Sequence, residues 1–266
     1  MTRIALGLEY DGAGFAGWQT QVRARNVQDE LQRALSMVAD HAVRLTAAGR
    51  TDAGVHALLQ VAHFDSGSAR PPRAWVLGTN SELAPEITVL WAKQVPEEFH
   101  ARYSALSRSY VYRIVNQPVR PALLRQQVCW VRRPLDAPAM HAAAQALVGE
   151  HDFSAFRAAE CQSASAVRRM MSIAVERRDA GVTIAVRANA FLHHMVRNIA
   201  GALIAVGTGA RPVAWLAELL ATCDRRQGGA TAPPQGLYLA SVDYPAAFGL
   251  PSAGAAGSCP GAGDDV

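Results

Sequence analysis

The chain has 266 residues, half of them hydrophobic, and a net charge of +4, which is typical of one large or two ordinary domains with a packed core. Its amino terminus lacks the apolar stretch of a secretory signal, and its longest uncharged apolar run, residues 199–210, is too short to span a bilayer. The four cysteines lie far apart and form no Cys-x-x-Cys pair. We therefore expect a cytoplasmic protein without membrane contact, disulfide framework or metal site.

The first half of the chain predicts the order strand, helix, strand, strand, helix, strand. Asn26, with Asp29 three residues later, is typical of the cap of a first helix. Pro71-Pro72 predicts the start of a second helix, which runs to Leu83. Apolar alternation and short apolar runs predict strands at residues 4–10, 43–47, 58–64 and 87–95. This order is that of a ferredoxin-like, split β-α-β fold.

The second half repeats this order of elements loosely, although its residues show no clear repeat. Its predicted strands lie at residues 109–115, 167–177, 182–188 and 237–244, and its predicted helices at residues 138–148, 193–206 and 212–221. The predicted fold class is therefore α+β, with two ferredoxin-like (split β-α-β) halves whose sheets lie side by side and a central basic cleft between them.

Three segments follow from this division of the chain. Residues 1–104 are predicted to form an N-terminal ferredoxin-like domain, and residues 105–245 a C-terminal ferredoxin-like domain. After residue 245 the composition changes to Gly, Ala, Ser and Pro, which leaves little to bury. We therefore expect residues 246–266 to be a disordered tail.

The positive charge is carried by 25 arginines and a single lysine, Lys93. An arginine-rich composition alone could reflect a GC-rich genome, so the layout is more informative than the count. Residues 99–135 contain seven arginines and no acidic residue, and they are interleaved with Tyr103, Tyr110, Tyr112 and Trp130. Guanidinium groups pair with phosphates and aromatic rings stack on bases, so this layout predicts contact with a nucleic acid.

A ten-residue stretch at residues 48–57, Ala-Gly-Arg-Thr-Asp-Ala-Gly-Val-His-Ala, holds the best candidate for a reacting group. The predicted strands on either side place Asp52 on a loop held at both ends. Gly49 and Gly54 allow that loop to turn sharply, and Arg50 lies near enough in sequence to hold the carboxylate ionised. Considered alone, the same residues also fit an ordinary turn with a solvated arginine.

The stretch resembles the active-site motif of the tRNA pseudouridine synthase A (TruA) family. The resemblance extends from about residue 4 to residue 244, and further motifs occur in the family's order. They include Tyr10-Asp11-Gly12, Phe99-His100-Ala101-Arg102-Tyr103, Tyr110-Val111-Tyr112, His151-Asp152-Phe153, Phe191-Leu192-His193-His194-Met195-Val196-Arg197-Asn198 and Thr231-Ala232-Pro233.

The resemblance implies a function and a set of site residues. Asp52 takes the place of the family's catalytic aspartate, Tyr110 that of its active-site tyrosine and Arg197 that of its active-site arginine, and Arg50 is expected to help extrude the target nucleotide. The implied reaction converts uridine to pseudouridine at positions 38, 39 and 40 of the tRNA anticodon stem-loop. A homodimer is implied as well. The reaction is an isomerisation, so we expect no cofactor.

The chemistry suits a carboxylate, because positive charge develops at the sugar carbon as the glycosidic bond breaks. The sequence leaves open whether Asp52 attacks the sugar, attacks the base or acts as a base at the ribose 2′ position. Tyr110 could stack on the freed uracil, and its hydroxyl or a water could assist removal of the C5 proton. Arg197 could pair with Asp52 or hold a phosphate. Considered without the resemblance, Tyr110 fits a core strand residue and Arg197 fits a helix face.

Two other functions are compatible with a basic, mixed fold. The first is a binding protein that holds RNA without altering it, and the second is an N-glycosidase that uses Asp52 to release the base to water.

The adjacent His193 and His194 are predicted to lie on a helix, where they would point about 100° apart. We therefore expect them not to share a metal ion.

Overall fold

The computed structural model describes residues 1–251, and residues 252–266 of the predicted tail lie outside the described residues. Five helices are α1 (Val27–Ala39), α2 (Pro72–Glu82), α3 (Ala137–Ala144), α4 (Met195–Gly207) and α5 (Trp215–Thr222). Ten strands are β1 (Thr2–Tyr10), β2 (Thr46–Ala47), β3 (His56–Ser66), β4 (Ile87–Val95), β5 (Ser107–Asn116), β6 (Cys129–Val131), β7 (Gly149–Asp152), β8 (Val167–Arg178), β9 (Gly181–Ala188) and β10 (Leu237–Asp243).

All ten strands belong to one open, mixed sheet with the order β4-β1-β3-β10-β5-β9-β8-β7, in which β2 also pairs with β3 and β6 with β5. The two halves of the chain join where β10 runs parallel to β3, with Tyr238 opposite His56 and Leu239 opposite Ala57. Because β3 begins at His56, the loop that precedes it, residues 48–55, lies at this junction. Helix α2 packs against β4 and α1, and helix α4 packs against α3, α5 and β5.

The predicted order of helices and strands in the first half is confirmed, but the predicted strand at residues 43–47 is correct only for Thr46–Ala47. Side chains of α1 bind the backbone donors of the preceding residues instead. The Val43 N–H donates to Ser36 Oγ at 2.9 Å, and the Leu45 N–H donates to Gln32 Oε1 at 2.9 Å. Val43 and Leu45 are nevertheless buried, so their apolar character reflects packing without strand pairing.

The second half and the predicted tail differ from the prediction in several places. The helix predicted at residues 138–148 ends at Ala144 and continues as a short 3-10 turn, Gln145–Leu147. The short strands β6 and β7 were not predicted, because three or four residues are too few to show a periodic pattern. Of the predicted tail, the turn Ala246–Phe248 is described, and the Phe248 ring packs against Phe99 with centroids 5.1 Å apart.

Among residues 1–251, no helix is long and apolar enough to cross a membrane.

A buried histidine on β3 makes the stability of this fold sensitive to acid. His63 is buried, and its Nδ1 accepts a hydrogen bond from the Ala101 N–H at 3.1 Å. Burial, with smaller contributions from the positive charges of Arg3 and His100, lowers the pKa of His63 to about 4. The unfolded chain, in which histidine titrates near 6.5, therefore binds more protons between about pH 4 and 6.5, and stability falls as the pH falls through that window.

We expect His63 to lower the free energy of unfolding by roughly 1–2 kcal/mol between pH 7 and pH 5. Urea unfolding at the two pH values measures this change. His63→Asn, whose amide oxygen can accept the same backbone N–H, should show a flatter dependence on pH even where it is less stable overall. An unchanged slope in that variant would contradict the assignment to His63.

Candidate active site

The loop that carries Asp52 is held from several sides. The Thr51 carbonyl accepts a hydrogen bond from the Trp18 N–H at 3.0 Å, and the Thr51 hydroxyl pairs with the Tyr10 hydroxyl at 2.8 Å. The buried Gln60 side chain donates to the Gly49 carbonyl at 2.7 Å. These contacts fix the loop backbone while the Asp52 side chain stays 22% exposed. The sequence-predicted arrangement of a carboxylate on a rigid loop is confirmed.

Gly17 allows its own segment of the chain to pack closely against this loop. Gly17 has a φ of +102°, and a Cβ added there would lie 2.7 Å from the Thr51 carbonyl oxygen. Gly17→Ala should therefore lower the free energy of unfolding by about 2 kcal/mol and reduce activity by displacing the Asp52 loop. Gly67→Ala is a matched control, because its Cβ would meet nothing within 4 Å. Equal unfolding midpoints in denaturant for the two variants would contradict the prediction.

Arg197, in the first turn of α4, is the arginine that contacts Asp52. Its Nη1 donates to Asp52 Oδ2 at 3.4 Å, and its Nε donates to the Ala232 carbonyl at 2.8 Å. The Ala232 N–H in turn donates to the Arg197 carbonyl at 3.1 Å. The Arg197 side chain is only 14% exposed, and its guanidinium is a fixed positive charge beside the carboxylate. The sequence-based pairing of Arg197 with Asp52 is present in the structure.

Arg50 lies two residues before Asp52 in sequence, but it is not the arginine that pairs with the carboxylate. Its side chain is exposed, and among residues 1–251 it forms no ion pair with Asp52. The carboxylate is paired across the junction of the two halves and not within its own loop. The role of Arg50 in extruding a nucleotide stays a prediction.

Two histidines complete the surroundings of the carboxylate. His193 Nε2 lies 3.3 Å from Asp52 Oδ1, and His194 Nε2 lies 3.4 Å from Asp52 Oδ2. The two imidazole rings lie against each other, with centroids 4.0 Å apart and their planes tilted by 36°. The prediction that they point about 100° apart on a helix is wrong, because α4 begins only at Met195 and His194 has a left-handed backbone with a φ of +60°. That backbone turns both rings toward Asp52.

The environment favours the neutral form of His194. Burial lowers its pKa, and the positive charges of His193 and Arg197 lower it further, against an opposing effect of Asp52. A neutral imidazole can donate through one ring nitrogen and accept through the other. His194 therefore offers an exchangeable proton beside the carboxylate without adding a fixed charge.

Tyr110, on β5, is buried and packs edge-on against Phe191 with ring centroids 5.0 Å apart. Burial raises the pKa of its hydroxyl, and the neighbouring Tyr10 hydroxyl and the negative charge of Asp52 raise it further. The phenol therefore stays protonated across the physiological range. A Cβ added at Gly49 would lie 3.9 Å from the Tyr110 hydroxyl, which places this tyrosine under the Asp52 loop.

The donor atoms of Asp52, His193 and His194 lie within 4.8 Å of one another, a spacing that a metal ion can use. Arg197 already contacts the same carboxylate, so a divalent cation there would meet a fixed positive charge. We therefore assign no metal to these residues, and the expected absence of a metal stays a prediction.

The basic, aromatic stretch at residues 99–135 is only partly available to a ligand. Arg108 donates to the carbonyls of Ala48 at 3.0 Å and Asn189 at 2.9 Å, which ties the Asp52 loop to the segment before α4. Tyr112 is fully buried, and its hydroxyl donates to the Pro233 carbonyl at 2.8 Å. The exposed members of the stretch are Arg102, Tyr103, Arg120, Arg125, Trp130, Arg132 and Arg133.

Comparisons with known proteins identify the family of this chain. A family model described as tRNA pseudouridine synthase matches residues 8–104 and 143–245. The tRNA pseudouridine synthase A of Methylococcus capsulatus is 56% identical over 248 residues, which cover 93% of this chain and 92% of that protein. The protein of the same name from Coxiella burnetii is 55% identical over 251 residues, which cover 94% of this chain and 96% of that protein. The one from Xanthomonas euvesicatoria is 56% identical over 252 residues, which cover 94% of this chain and 98% of that protein. The chain therefore belongs to the tRNA pseudouridine synthase family.

Proposed function

We propose that this member of the tRNA pseudouridine synthase family converts uridine to pseudouridine at positions 38, 39 and 40 of the anticodon stem-loop, with Asp52 as its catalytic carboxylate. The protein is an isomerase that acts on uridine in tRNA. The proposed role of Asp52 is supported by its position. It lies on a loop at the junction of the two halves, and its carboxylate contacts the guanidinium of Arg197.

The carboxylate has a defined task in this reaction. As the bond between N1 and the sugar C1′ breaks, positive charge develops at C1′, and an anion stabilises that charge or attacks the carbon. Arg197 places a positive charge beside Asp52 through its contact with Oδ2. The base is retained and no electrons are exchanged, so the reaction requires no redox cofactor.

Tyr110 and Arg50 are proposed to bind the target nucleotide. Tyr110 lies under the Asp52 loop, where its ring can stack on the freed uracil while the base turns. Burial raises the pKa of its hydroxyl, so the protonated phenol can donate a hydrogen bond to the base. Arg50 is exposed next to the carboxylate loop, where its guanidinium can hold a phosphate of a nucleotide that has been flipped out of the stem.

We also propose that the chain consists of two ferredoxin-like domains, residues 1–104 and 105–245. The strand order supports this division, since β4-β1-β3-β2 in the first half has the same pattern as β10-β5-β9-β8 in the second. When the short strands β6 and β7 are set aside, each half is a split β-α-β arrangement in which the first strand lies between the third and the fourth. The tRNA would then bind in a basic cleft where the two domains meet.

A homodimer that binds one tRNA across both subunits is part of the proposal, and the tRNA substrate would place the activity in the cytoplasm. Sedimentation of the protein with and without tRNA tests the stoichiometry. Two chains for each bound tRNA is the expected result, and one chain for each tRNA would contradict the dimer.

The proposed positions can be tested with tRNA transcripts that carry a single uridine at position 38, 39 or 40. Carbodiimide treatment followed by primer extension should reveal pseudouridine at each of these positions. A transcript with cytidine at all three positions is the matched control and should show none. Pseudouridine found only outside the anticodon arm would contradict the proposed specificity.

A further inference from the structure

The proposed catalysis, on which this inference rests, depends on where the Arg197 guanidinium lies relative to Asp52. Its Nη1 contacts Asp52 Oδ2 at 3.4 Å, and its Nε donates to the Ala232 carbonyl at 2.8 Å. Because Nε and Nη1 belong to one planar group, the Nε contact determines where Nη1 points. The position of the Ala232 carbonyl therefore matters for the carboxylate, although the two do not touch.

The segment that carries this carbonyl, residues 231–234, also contacts other parts of the site. The Pro233 carbonyl accepts a hydrogen bond from the Tyr112 hydroxyl at 2.8 Å. A Cβ added at Gly54 would lie 3.1 Å from Pro234 Cγ, so the end of the segment lies against the loop that precedes β3. The segment therefore touches β5 and this loop as well as α4.

Three polar side chains, Asn198, Arg225 and Thr231, form a cluster that holds the start of this segment on α4. Thr231 Oγ1 donates to Asn198 Oδ1 at 2.6 Å, and Arg225 Nη2 donates to both of these oxygens at 3.1 Å. Asn198 follows Arg197 directly and is buried, and its Nδ2 donates to the Phe156 carbonyl at 2.8 Å. A buried polar network whose members have partners makes its surroundings rigid.

Close packing on α4 fixes the same part of the chain. Gly201 lies one turn after Arg197, and a Cβ added there would lie 1.9 Å from the Ala230 carbonyl oxygen. A larger residue at this position would displace the chain from the helix. Packing at Gly201 and hydrogen bonds at Thr231 thus both determine where the Ala232 carbonyl lies.

We propose that Asn198, Arg225 and Thr231 are positioning residues for the reaction, which hold the Ala232 carbonyl so that it directs the Arg197 guanidinium toward Asp52. Among residues 1–251, none of the three contacts the carboxylate itself. Their effect on turnover therefore passes through Arg197.

Thr231→Val tests this role, because it removes the hydroxyl and keeps the shape of the side chain. It should lower kcat by about tenfold with little change in KM, since a displaced guanidinium slows the reaction without weakening tRNA binding. Thr231→Ser keeps the hydroxyl and should recover most of the rate. Thr208→Val is the matched control, because it loses a hydroxyl contact with the Ala205 carbonyl, 3.2 Å long, at the other end of α4. Its kcat should be normal.

Combining Thr231→Val with Arg197→Lys tests whether the effect passes through Arg197. In Arg197→Lys the contact between the guanidinium and the Ala232 carbonyl is already lost. Adding Thr231→Val should then lower kcat by less than about twofold, because the two changes act on the same contact. A further tenfold loss would overturn the proposal, since Thr231 would then act independently of Arg197.

The Nε–H signal of Arg197 in a ¹⁵N NMR spectrum gives a readout that does not depend on activity. Its absence from the spectrum of Arg197→Lys assigns it. The signal should shift in Thr231→Val and stay in place in Thr208→Val. An unshifted signal or a normal kcat in Thr231→Val would overturn the proposal. Failure of the proposed function looks different, because the unaltered protein itself would then form no pseudouridine.

Discussion

Asp52→Ala is expected to lower the rate of pseudouridine formation by at least about 10,000-fold, because the variant lacks the anion that serves the reacting sugar carbon. Binding of tRNA should remain, and at low salt it should be at least as tight. Arg197 contacts Asp52 Oδ2 at 3.4 Å. Without the carboxylate, the positive charge of Arg197 is no longer paired and can attract the polyanionic tRNA.

Single-turnover rates and a filter-binding assay on the same preparation measure both effects. Asp52→Asn should be equally inactive, which shows that the charge and not the shape of the side chain is required. Asp40→Asn is a matched control, because Asp40 is exposed and has a left-handed backbone that asparagine tolerates well. Normal turnover by Asp52→Ala would remove Asp52 from the catalytic role.

Arg197→Lys is expected to lower kcat by about 100-fold. The guanidinium donates in two directions at once, to the Ala232 carbonyl at 2.8 Å and to Asp52 at 3.4 Å. An ammonium group at the end of a flexible stem cannot occupy both positions, so either the carboxylate or the Ala232 segment loses its partner. The change should be in kcat, with KM little altered, because the contact serves the carboxylate and not the tRNA.

Arg211→Lys is a suitable control for this variant. Arg211 lies after the end of α4 and stacks over Trp215 at 4.9 Å, and it forms no ion pair in the part of the chain that the structure describes. Its substitution should leave the steady-state parameters unchanged. A raised KM with normal kcat in Arg197→Lys would instead assign Arg197 to a phosphate of the tRNA.

Local patterns predicted the order of helices and strands in the first half and the loop that carries Asp52. These features depend on short-range properties: apolar alternation, a capping asparagine at residue 26 and glycines at turns. The failure at Val43 and Leu45 has a clear origin. The sequence pattern correctly predicts that both residues are buried. It does not show that the side chains of Ser36 and Gln32 accept hydrogen bonds from their backbone N–H groups, which replaces strand pairing.

The partners of the carboxylate were harder to predict, because they come from distant parts of the chain. Arg50 is two residues from Asp52 in sequence, but the contact is made by Arg197, 145 residues away. The resemblance to a family identified that arginine, and no local pattern did.

The role of the histidine pair depends on one backbone angle. A helical conformation at His194 would separate the two rings, and the observed left-handed one brings both to Asp52. No residue near His194 in sequence requires that conformation. The signal available from sequence was the adjacency of two histidines next to the motif arginine.

The most direct test of the central claim uses a tRNA transcript with tritium at C5 and carbon-14 in the ring of the target uridines. The unaltered protein should release tritium to water while the carbon-14 stays in the RNA, and Asp52→Ala should release neither label. Free carbon-14 uracil would show an N-glycosidase. Retention of both labels by the unaltered protein, with the tRNA bound, would show a binding protein and contradict the account.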